Sequence, residues 1–546
     1  MGRPTSKLRA IDLYSGIGGW SLGLAMAGLE VVASYEWWAV ANNTNQKNNG
    51  HKTTEVDIRA LDLASLPKDI DVVVGSPPCT QFSFANRGGS GDISDGLKDI
   101  AKFLEVVDFV KPRFWAMENV PRVAGILEAE LREGGGLEQY AHLRPSIEVV
   151  DMAGWGVPQR RKRCIAGNFD FELLYSYRAK TPDRTLGSII EALNSPVVVD
   201  QIYKLQVDAS SLCDHVVEEF LSPEEERMNR ELKAYHPVYN NMEFPDPLER
   251  SARTITATCT RVSRESIVVE APEKRGRYRR LTVRERGCLQ GFPVTYQFFG
   301  KSYSQKLKMI GNAVPPLFTF YVAQAICQRT DEMLVSPDIG IHTFEAPSEI
   351  PVKTLPDGQG YSYSETRRFR AALPHLRFKS GVRFELANAF CDNELSWGVS
   401  FFYGNSKDIR QLPLDDDLQS FCLKQLPGQE LLADIKSALV RLETVLGATD
   451  ANTLQQVWAH SVEHRFHPYD VVDVLGEAAA EIIEIVKREP GVADDVVARV
   501  LTLNGVNLGY KKLLSHSGAV LSGLIVGAEA NAILHGAIFN QNSLTH

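Results

Sequence analysis

Along residues 7–120, short apolar runs alternate with stretches of helical periodicity. Residues 10–14 form an apolar run that enters a Gly-rich turn and then a helical pattern at 21–27. Apolar runs recur at 31–35, 72–74 and 114–117, while 100–110 reads as a helix that Lys111-Pro112 stops. Strands separated by helices of this length predict a parallel α/β sheet. Residues 146–170 add strand-like material and complete a first segment, 1–170. The alternation breaks down over 171–280, with acidic Pro-containing loops at 222–226 and 244–249 and β-like runs at 253–258 and 266–269. This predicts a small inserted mixed domain. Residues 281–330 return to helix, at 282–288 and 317–327, and close the first domain. A β-rich region follows over 331–427, with strands expected at 382–386 and 397–403. Residues 428–546 are helical: Leu431, Leu432, Ile435, Leu439, Leu442 and Leu446 fall at helical spacing, and a second helix at 471–486 stops at Pro490-Gly491.

Composition narrows the class. The chain has 546 residues, 44% hydrophobic and 23% charged, which excludes disorder as its dominant state. The formal net charge of −9 is unevenly spread. Residues 331–546 hold 28 acidic and 18 basic residues, a balance of −10, which leaves 40 acidic against 41 basic residues in 1–330. Global acidity therefore does not exclude nucleic acid, because binding follows local basic surface. The eight cysteines contain no CxxC pair, so neither a disulfide framework nor a zinc knuckle is expected, and no metal. The Met-Gly start with Ser6 has the form of a myristoylation signal, but Pro4 and the strand that follows at once argue against it. The apolar stretch 518–539 carries Glu529, Asn531 and His535, a poor membrane span. The expectation is a soluble, cytoplasmic protein.

Four constellations carry chemistry. In Asp12-Leu-Tyr14-Ser-Gly16-Ile-Gly18-Gly19-Trp20 a strand enters a Gly-rich turn that lets backbone approach a ligand. The nicotinamide fingerprint would need glycine at 21, where Ser21 stands. Glu36 closes the second strand, where a ribose would be held by its hydroxyls, and Asp57-Ile58 can contact an adenine edge. The second constellation, Ser76-Pro77-Pro78-Cys79-Thr80-Gln81-Phe82-Ser83, puts a cysteine behind two prolines at the carboxyl end of a strand. An isolated cysteine is more often inert, but the double proline and the small-residue loop 83–94 favour a nucleophile. The third, Glu118-Asn119-Val120, offers a carboxylate for proton work near that thiol; the bland reading is a solvated loop acid. In the fourth, Gln159, Arg161 and Arg163 share one strand face and can converge on a planar polar ligand or phosphate. A basic surface patch is the competing reading.

Together with Arg284-Glu285, Leu289-Gln-Gly-Phe-Pro293 and Ile310-Gly-Asn312-Ala-Val-Pro-Pro316, these motifs resemble the DNA cytosine-5 methyltransferase family over residues 8–328. The resemblance implies a Rossmann-like, S-adenosylmethionine-dependent methyltransferase domain of α/β class. A small mixed target-recognition domain would be inserted in it, and an α+β/helical domain would be added at the C-terminus. It implies Cys79 as nucleophile, Glu118 on the base, and Arg161 with Arg163 positioning that base. Tyr14, Gly16, Gly18, Glu36, Trp37, Asp57, Ile58, Pro77 and Asn312 would hold the cofactor, whose product is S-adenosylhomocysteine. Duplex DNA would be the partner, its target base flipped out of the stack.

Residues 253–287 carry ten basic and four acidic side chains. With Ser83 and Gln159, residues Arg253, Arg261, Arg264 and Arg275 are the expected DNA contacts; a solvated charged loop is the competing reading. Departures from the family pattern are Tyr14 for the usual Phe, Thr80 after the nucleophile, Trp38 for an acidic residue, and a reduced Asp95-Gly96-Leu97. None removes a group the chemistry needs. An RNA (tRNA) cytosine-5 methyltransferase and a catalytically silent DNA-binding regulator remain alternatives. For 331–546 two readings stand, a stabilising appendage or a module binding a restriction or defence partner. The expected setting is bacterial, cytoplasmic and nucleoid-associated.

Overall fold

A computed structural model describes residues 7–79, 82, 93–234, 242–338, 346–358, 363–378, 382–391, 394–405, 408–447, 450–462, 466–507 and 510–534. The chain forms two compact units, Met1–Arg230 with Glu243–Gly358, and Glu231–Met242 with Gln359–His546.

The first unit is built on a seven-stranded sheet: β1 (Arg9–Leu13), β2 (Glu30–Glu36), β3 (Thr53–Glu55), β4 (Val72–Gly75), β5 (Phe114–Asn119), β6 (Ser146–Asp151) and β7 (Lys162–Gly167). Its order is β3-β2-β1-β4-β5-β7-β6. β1 to β5 pair in parallel, and β7 runs antiparallel to both β5 and β6. The central strands read as continuous apolar runs because both faces are covered. The helices α1 (Gly19–Met26), α2 (Ala39–Asn49), α3 (Ser94–Val110) and α4 (Arg122–Glu130) provide the first crossovers. α3 ends where Lys111 takes up the left-handed conformation ahead of Pro112. The order reverses between β1 and β4, so the loops after these two strands diverge and leave a crevice at the carboxyl ends.

The helix Pro316–Ile326 covers α1, and the two approach through glycines. A Cβ on Gly19 would lie 2.1 Å from the Val314 carbonyl oxygen, and one on Gly23 would lie 2.0 Å from Thr319 Oγ1. Thr319 Oγ1 also donates to the Gly19 carbonyl at 2.8 Å. A chain segment some 300 residues away thereby becomes part of the first crossover.

Residues 171–280, expected as an inserted domain, share the core of this unit. Ile189, Ile202, Ile255 and Val269 lie in one apolar cluster with Ala10, Trp20 and Phe318. Tyr203 donates to the Gly291 carbonyl at 2.6 Å, and Asp200 accepts the Val294 N–H at 2.8 Å. The strand expected at 253–258 does not form. Only an isolated bridge, Gln159 to Ala252, is present there, and the hairpin is Val268–Glu270 with Tyr278–Arg280. The 253–258 backbone is instead spent on side-chain partners described below. A helix with no counterpart in the apolar pattern, Tyr303–Asn312, carries the start of the late Gly-Asn-Ala-Val-Pro-Pro motif.

The second unit has a four-stranded antiparallel sheet, Arg370–Arg377, Arg383–Cys391, Glu394–Asn405 and Asp408–Leu412, in sequence order. Helices Pro468–Val486 and Ser517–Ile533 pack on it, and Gln429–Leu446 packs on those two helices. The regions anticipated separately as 331–427 and 428–546 are thus joined, and residues to 358 belong with the first unit. Ser517–Ile533 is buried along most of its length, and Asn531 bonds Val399 N–H and carbonyl, which explains the apolar late stretch. No helix among the described residues is long and apolar enough to cross a membrane.

Gly23→Val is expected to destabilise the first unit by roughly 1–3 kcal/mol, the usual scale for overpacking. Chemical denaturation checks this, and an unchanged midpoint would show that the α1 contact is not close.

Candidate active site

The crevice is walled on one side by the turn after β1. Tyr14 and Gly16 adopt positive φ, 53° and 51°, and Gly18 reaches 84°. A Cβ at Gly18 would fall 2.2 Å from Asn45 Oδ1, whereas the space beside Gly16 is open. Ser21, where the nicotinamide fingerprint has glycine, answers Asp12. Its N–H and hydroxyl both donate to Asp12 Oδ2, at 3.0 and 2.7 Å. Burial pushes the Asp12 carboxyl up to about 7.

From β2, Glu36 accepts the Gly16 N–H at 2.9 Å and the Trp38 N–H at 2.8 Å, which ties the two strand ends together. Burial raises its carboxyl above the ordinary range. Trp37 beside it is 59% exposed, a large apolar face open to a ligand. Asp57 accepts the Arg59 N–H at 3.0 Å and so caps the short turn Ile58–Ala60, whose Ile58 is buried. Asn312 is exposed at the end of its helix.

On the other side, Cys79 follows Gly75 of β4 by four residues and is partly buried. The segment before it is held from two directions. Trp20 Nε1 donates to Ser76 Oγ at 3.1 Å, and Asn119 Nδ2 donates to the Pro77 carbonyl at 3.1 Å. Glu118 lies within β5 and is 6% exposed, its Oε1 2.9 Å from Arg163 Nε. It is a buried, paired acid and not a solvated loop residue. Burial and the Glu118 charge raise the Cys79 thiol, while Arg163 and Arg161 pull it down. Cys79, Glu118, Arg161 and Arg163 are therefore one electrostatic cluster.

Gln159 and Arg161 precede β7, which begins at Lys162, so they are not on a strand as expected. Arg161 is 2% exposed. Its guanidinium donates to the carbonyls of Ile255 (3.2 Å), Gly311 (3.0 Å) and Ala313 (3.1 Å). This brings the late motif beside the nucleophile.

Three of the six expected DNA contacts are committed elsewhere. Gln159 is fully buried: its Oε1 accepts the Ile255 N–H at 2.9 Å, and its Nε2 donates to Leu289 and Gln290. Arg253 pairs with Asp246, Nε to Oδ1 at 2.5 Å, and Arg261 grips Glu225 with Nε and Nη2 at 2.5 and 2.8 Å. Arg279 pairs with Glu285 and Arg280 with Glu218, all with buried side chains. The basic count over 253–287 misled because these acids, Glu285 apart, come from 218–246, outside the counted window. Arg264 is half-buried, and Lys274 and Arg275 are exposed. Ser83 lies outside the described residues.

Residues 8–328 match the family described as C-5 cytosine-specific DNA methylase. The chain belongs to this family. As a DNA cytosine-5 methyltransferase it is similar to the Type II methyltransferase M1.HphI of Haemophilus parahaemolyticus, at 30% identity over 58% of this chain and 86% of that one. It is also similar to M.HgiDI of Herpetosiphon aurantiacus, at 30% over 58% and 94%. The solved structure of S. pombe Dnmt2 methyltransferase aligns at 15% identity and a TM-score of 0.42, covering 59% of this chain and 99% of that one. The family match ends before Gln359–His546, the larger part of the second unit.

Two predictions follow from the electrostatics. Arg163→Met removes one of the two cations that lower the Cys79 thiol, so alkylation of Cys79 near neutral pH should slow several-fold, whereas Glu118→Gln should speed it. Peptide mass spectrometry of Cys79 reads both, and the same sign for both variants would contradict the cluster. Folding raises the Asp12 carboxyl from the ordinary 3.8 to about 7, so the folded state holds that proton more tightly than the unfolded chain. Stability is then lost as pH climbs from about 4 to about 7 and levels off above. Asp12→Asn keeps an acceptor for Ser21 and should gain on the parent between about pH 4 and about pH 7 in thermal melts, with no further gain above. A pH-independent difference would count against it.

Proposed function

We propose that the chain transfers a methyl group from S-adenosylmethionine to carbon 5 of a cytosine flipped out of duplex DNA, within a restriction-modification setting. The carrying observation is the joining of Cys79, Glu118, Arg161 and Arg163 at the carboxyl ends of β4 and β5, next to the Gly-rich turn. Cytosine carbon 5 is a poor nucleophile until the ring is made electron-rich. The Cys79 thiolate adds at carbon 6 and the displaced electron pair makes carbon 5 nucleophilic. Glu118, held by Arg163, faces N3 and the exocyclic amine and favours the protonated ring as the adduct forms. The two guanidinium groups offset negative charge in a partly dry site. After methyl transfer the carbon 5 proton leaves to base, the double bond reforms, and the thiolate is expelled.

The cofactor supplies an activated methyl group when bound. The open space at Gly16, the exposed Trp37 face and the fixed Glu36 carboxylate suit an adenosyl ligand. Tyr14, Gly18, Asp57, Ile58, Pro77 and Asn312 complete the proposed pocket. Exposed Lys274 and Arg275 are the remaining candidates from 253–287 for phosphate contact. The acidic balance of the second unit favours protein over nucleic acid as its partner.

Nucleoside mass analysis of DNA and RNA from cells expressing the chain and Cys79→Ala tests this reading. 5-Methylcytosine in DNA that disappears in Cys79→Ala is expected. Modification confined to RNA, or persisting in the variant, would overturn it.

A further inference from the structure

The β1 turn, the Ile58–Ala60 turn and helix α3 meet at one buried carboxylate that the methyl-transfer chemistry does not use. Asp99 is 6% exposed and sits in the second turn of α3. Arg59 clasps it with two bonds, Nε to Oδ1 at 2.9 Å and Nη2 to Oδ2 at 2.6 Å. The same guanidinium reaches one turn back to Asp95, with Nη1 to Oδ1 at 2.9 Å and Nη2 to the backbone carbonyl at 2.8 Å. Residues 95 and 99 lie one above the other on the helix, so a single planar fork spans both. From the other direction, the Tyr14 hydroxyl contacts the Asp99 carbonyl at 3.2 Å and Oδ1 at 3.3 Å. Burial, and next the Asp99 charge, raise the Tyr14 hydroxyl above its ordinary range, so it stays a neutral donor.

The three partners matter because of where they come from. Tyr14 holds a positive φ of 53° at the exit of β1, a conformation a non-glycine residue keeps only when its surroundings enforce it. Arg59 directly follows Asp57 and Ile58, and its own N–H is capped by Asp57. A phenylalanine at position 14 would lack the hydroxyl and with it one of the arms.

We propose that Asp99 is a positioning residue for the adenosine half of the cofactor site, acting through the Tyr14 hydroxyl and the Arg59 guanidinium. This rests on the reading of Tyr14, Asp57 and Ile58 as the adenine wall. Asp99 sets the ring plane of Tyr14 and the height of the Ile58–Ala60 turn together, so the wall is assembled before ligand arrives and little ordering is left to binding. Loss of the shared carboxylate leaves Arg59 on Asp95 alone and holds Tyr14 by the Asp99 backbone carbonyl without the side-chain arm.

The test is calorimetric titration of the full chain with S-adenosylhomocysteine, for the parent, Tyr14→Phe, Asp99→Asn and the double variant, with thermal melts alongside. Asp99→Asn is expected to raise Kd about tenfold and Tyr14→Phe about threefold. The double variant should be no weaker than Asp99→Asn within about twofold, since both act through one contact. In turnover, KM for S-adenosylmethionine should rise while kcat stays near the parent's, a split that general loosening of the fold would not produce. Should Asp99→Asn fail to fold, Arg59→Gln removes the same clasp from the more exposed partner and is expected to raise Kd about fivefold. A Kd within twofold of the parent in a folded Asp99→Asn or Arg59→Gln protein, or fully additive losses, would overturn the proposal. A parent that takes up no S-adenosylhomocysteine would instead overturn the cofactor reading, and this inference with it.

Discussion

Arg161 is the side chain on which the closure of the site depends. A guanidinium removed from water is costly unless its N–H groups are bonded, and among the described residues Arg161 finds its acceptors at Ile255, Gly311 and Ala313. Those carbonyls lie 94 to 152 positions further along the chain. The charge can be buried beside Cys79 only if the 250s loop and the end of the Tyr303–Asn312 helix have already come home. A Cβ on Gly311 would meet Ala257 N at 2.3 Å, so glycine there lets the two late segments approach one another closely. The Gln-x-Arg and Gly-Asn-Ala-Val-Pro-Pro motifs are thus two halves of one contact.

The same logic extends through the neighbouring interior. Asp214, Glu218, Glu225 and Asp246 take up Lys306, Arg280, Arg261 and Arg253. Arg284 is bonded to the Val294 and Tyr296 carbonyls. Buried pairs of this kind add little net stability over apolar packing, but each is severe to break because a lone charge remains. Their effect is to specify which segments meet. They also join 171–280, read from the broken strand-helix alternation as a small inserted mixed domain, to the apolar core of the first unit.

Much of the fold was legible because its strongest signals are local. The apolar runs of β1, β2, β4 and β5 and the helix stop at Lys111-Pro112 follow from burial on two faces and from proline's missing donor. The helix Tyr303–Asn312 was not legible: its sequence mixes Lys306, Lys308 and Gln305 with few apolar residues, and Lys306 is buried only because Asp214 and the Val352 carbonyl receive it. The expected strand at 253–258 failed for a related reason. Its alternation of Thr and Ile satisfies a sheet pattern, yet Thr254 donates to the Arg160 carbonyl and the Ile255 N–H goes to Gln159.

By itself the sequence determined the α/β class and the order of the motifs, and the resemblance those motifs carry singled out Cys79, Glu118, Arg161 and Arg163. Apolar patterning and motif order are local properties of the chain, so they can be read without the fold. Only the tertiary structure decided which charges face solvent. Arg253, Arg261, Arg280 and Arg284 turn inward to acceptors outside 253–287, while Arg279 and Arg286 turn inward to acceptors within it. Likewise only the fold could show that Asp99, an unremarked acid on a helix, joins Tyr14 to Arg59. Pairing over 40 and 85 positions leaves no periodic trace in the sequence, since the partners are neighbours in space alone.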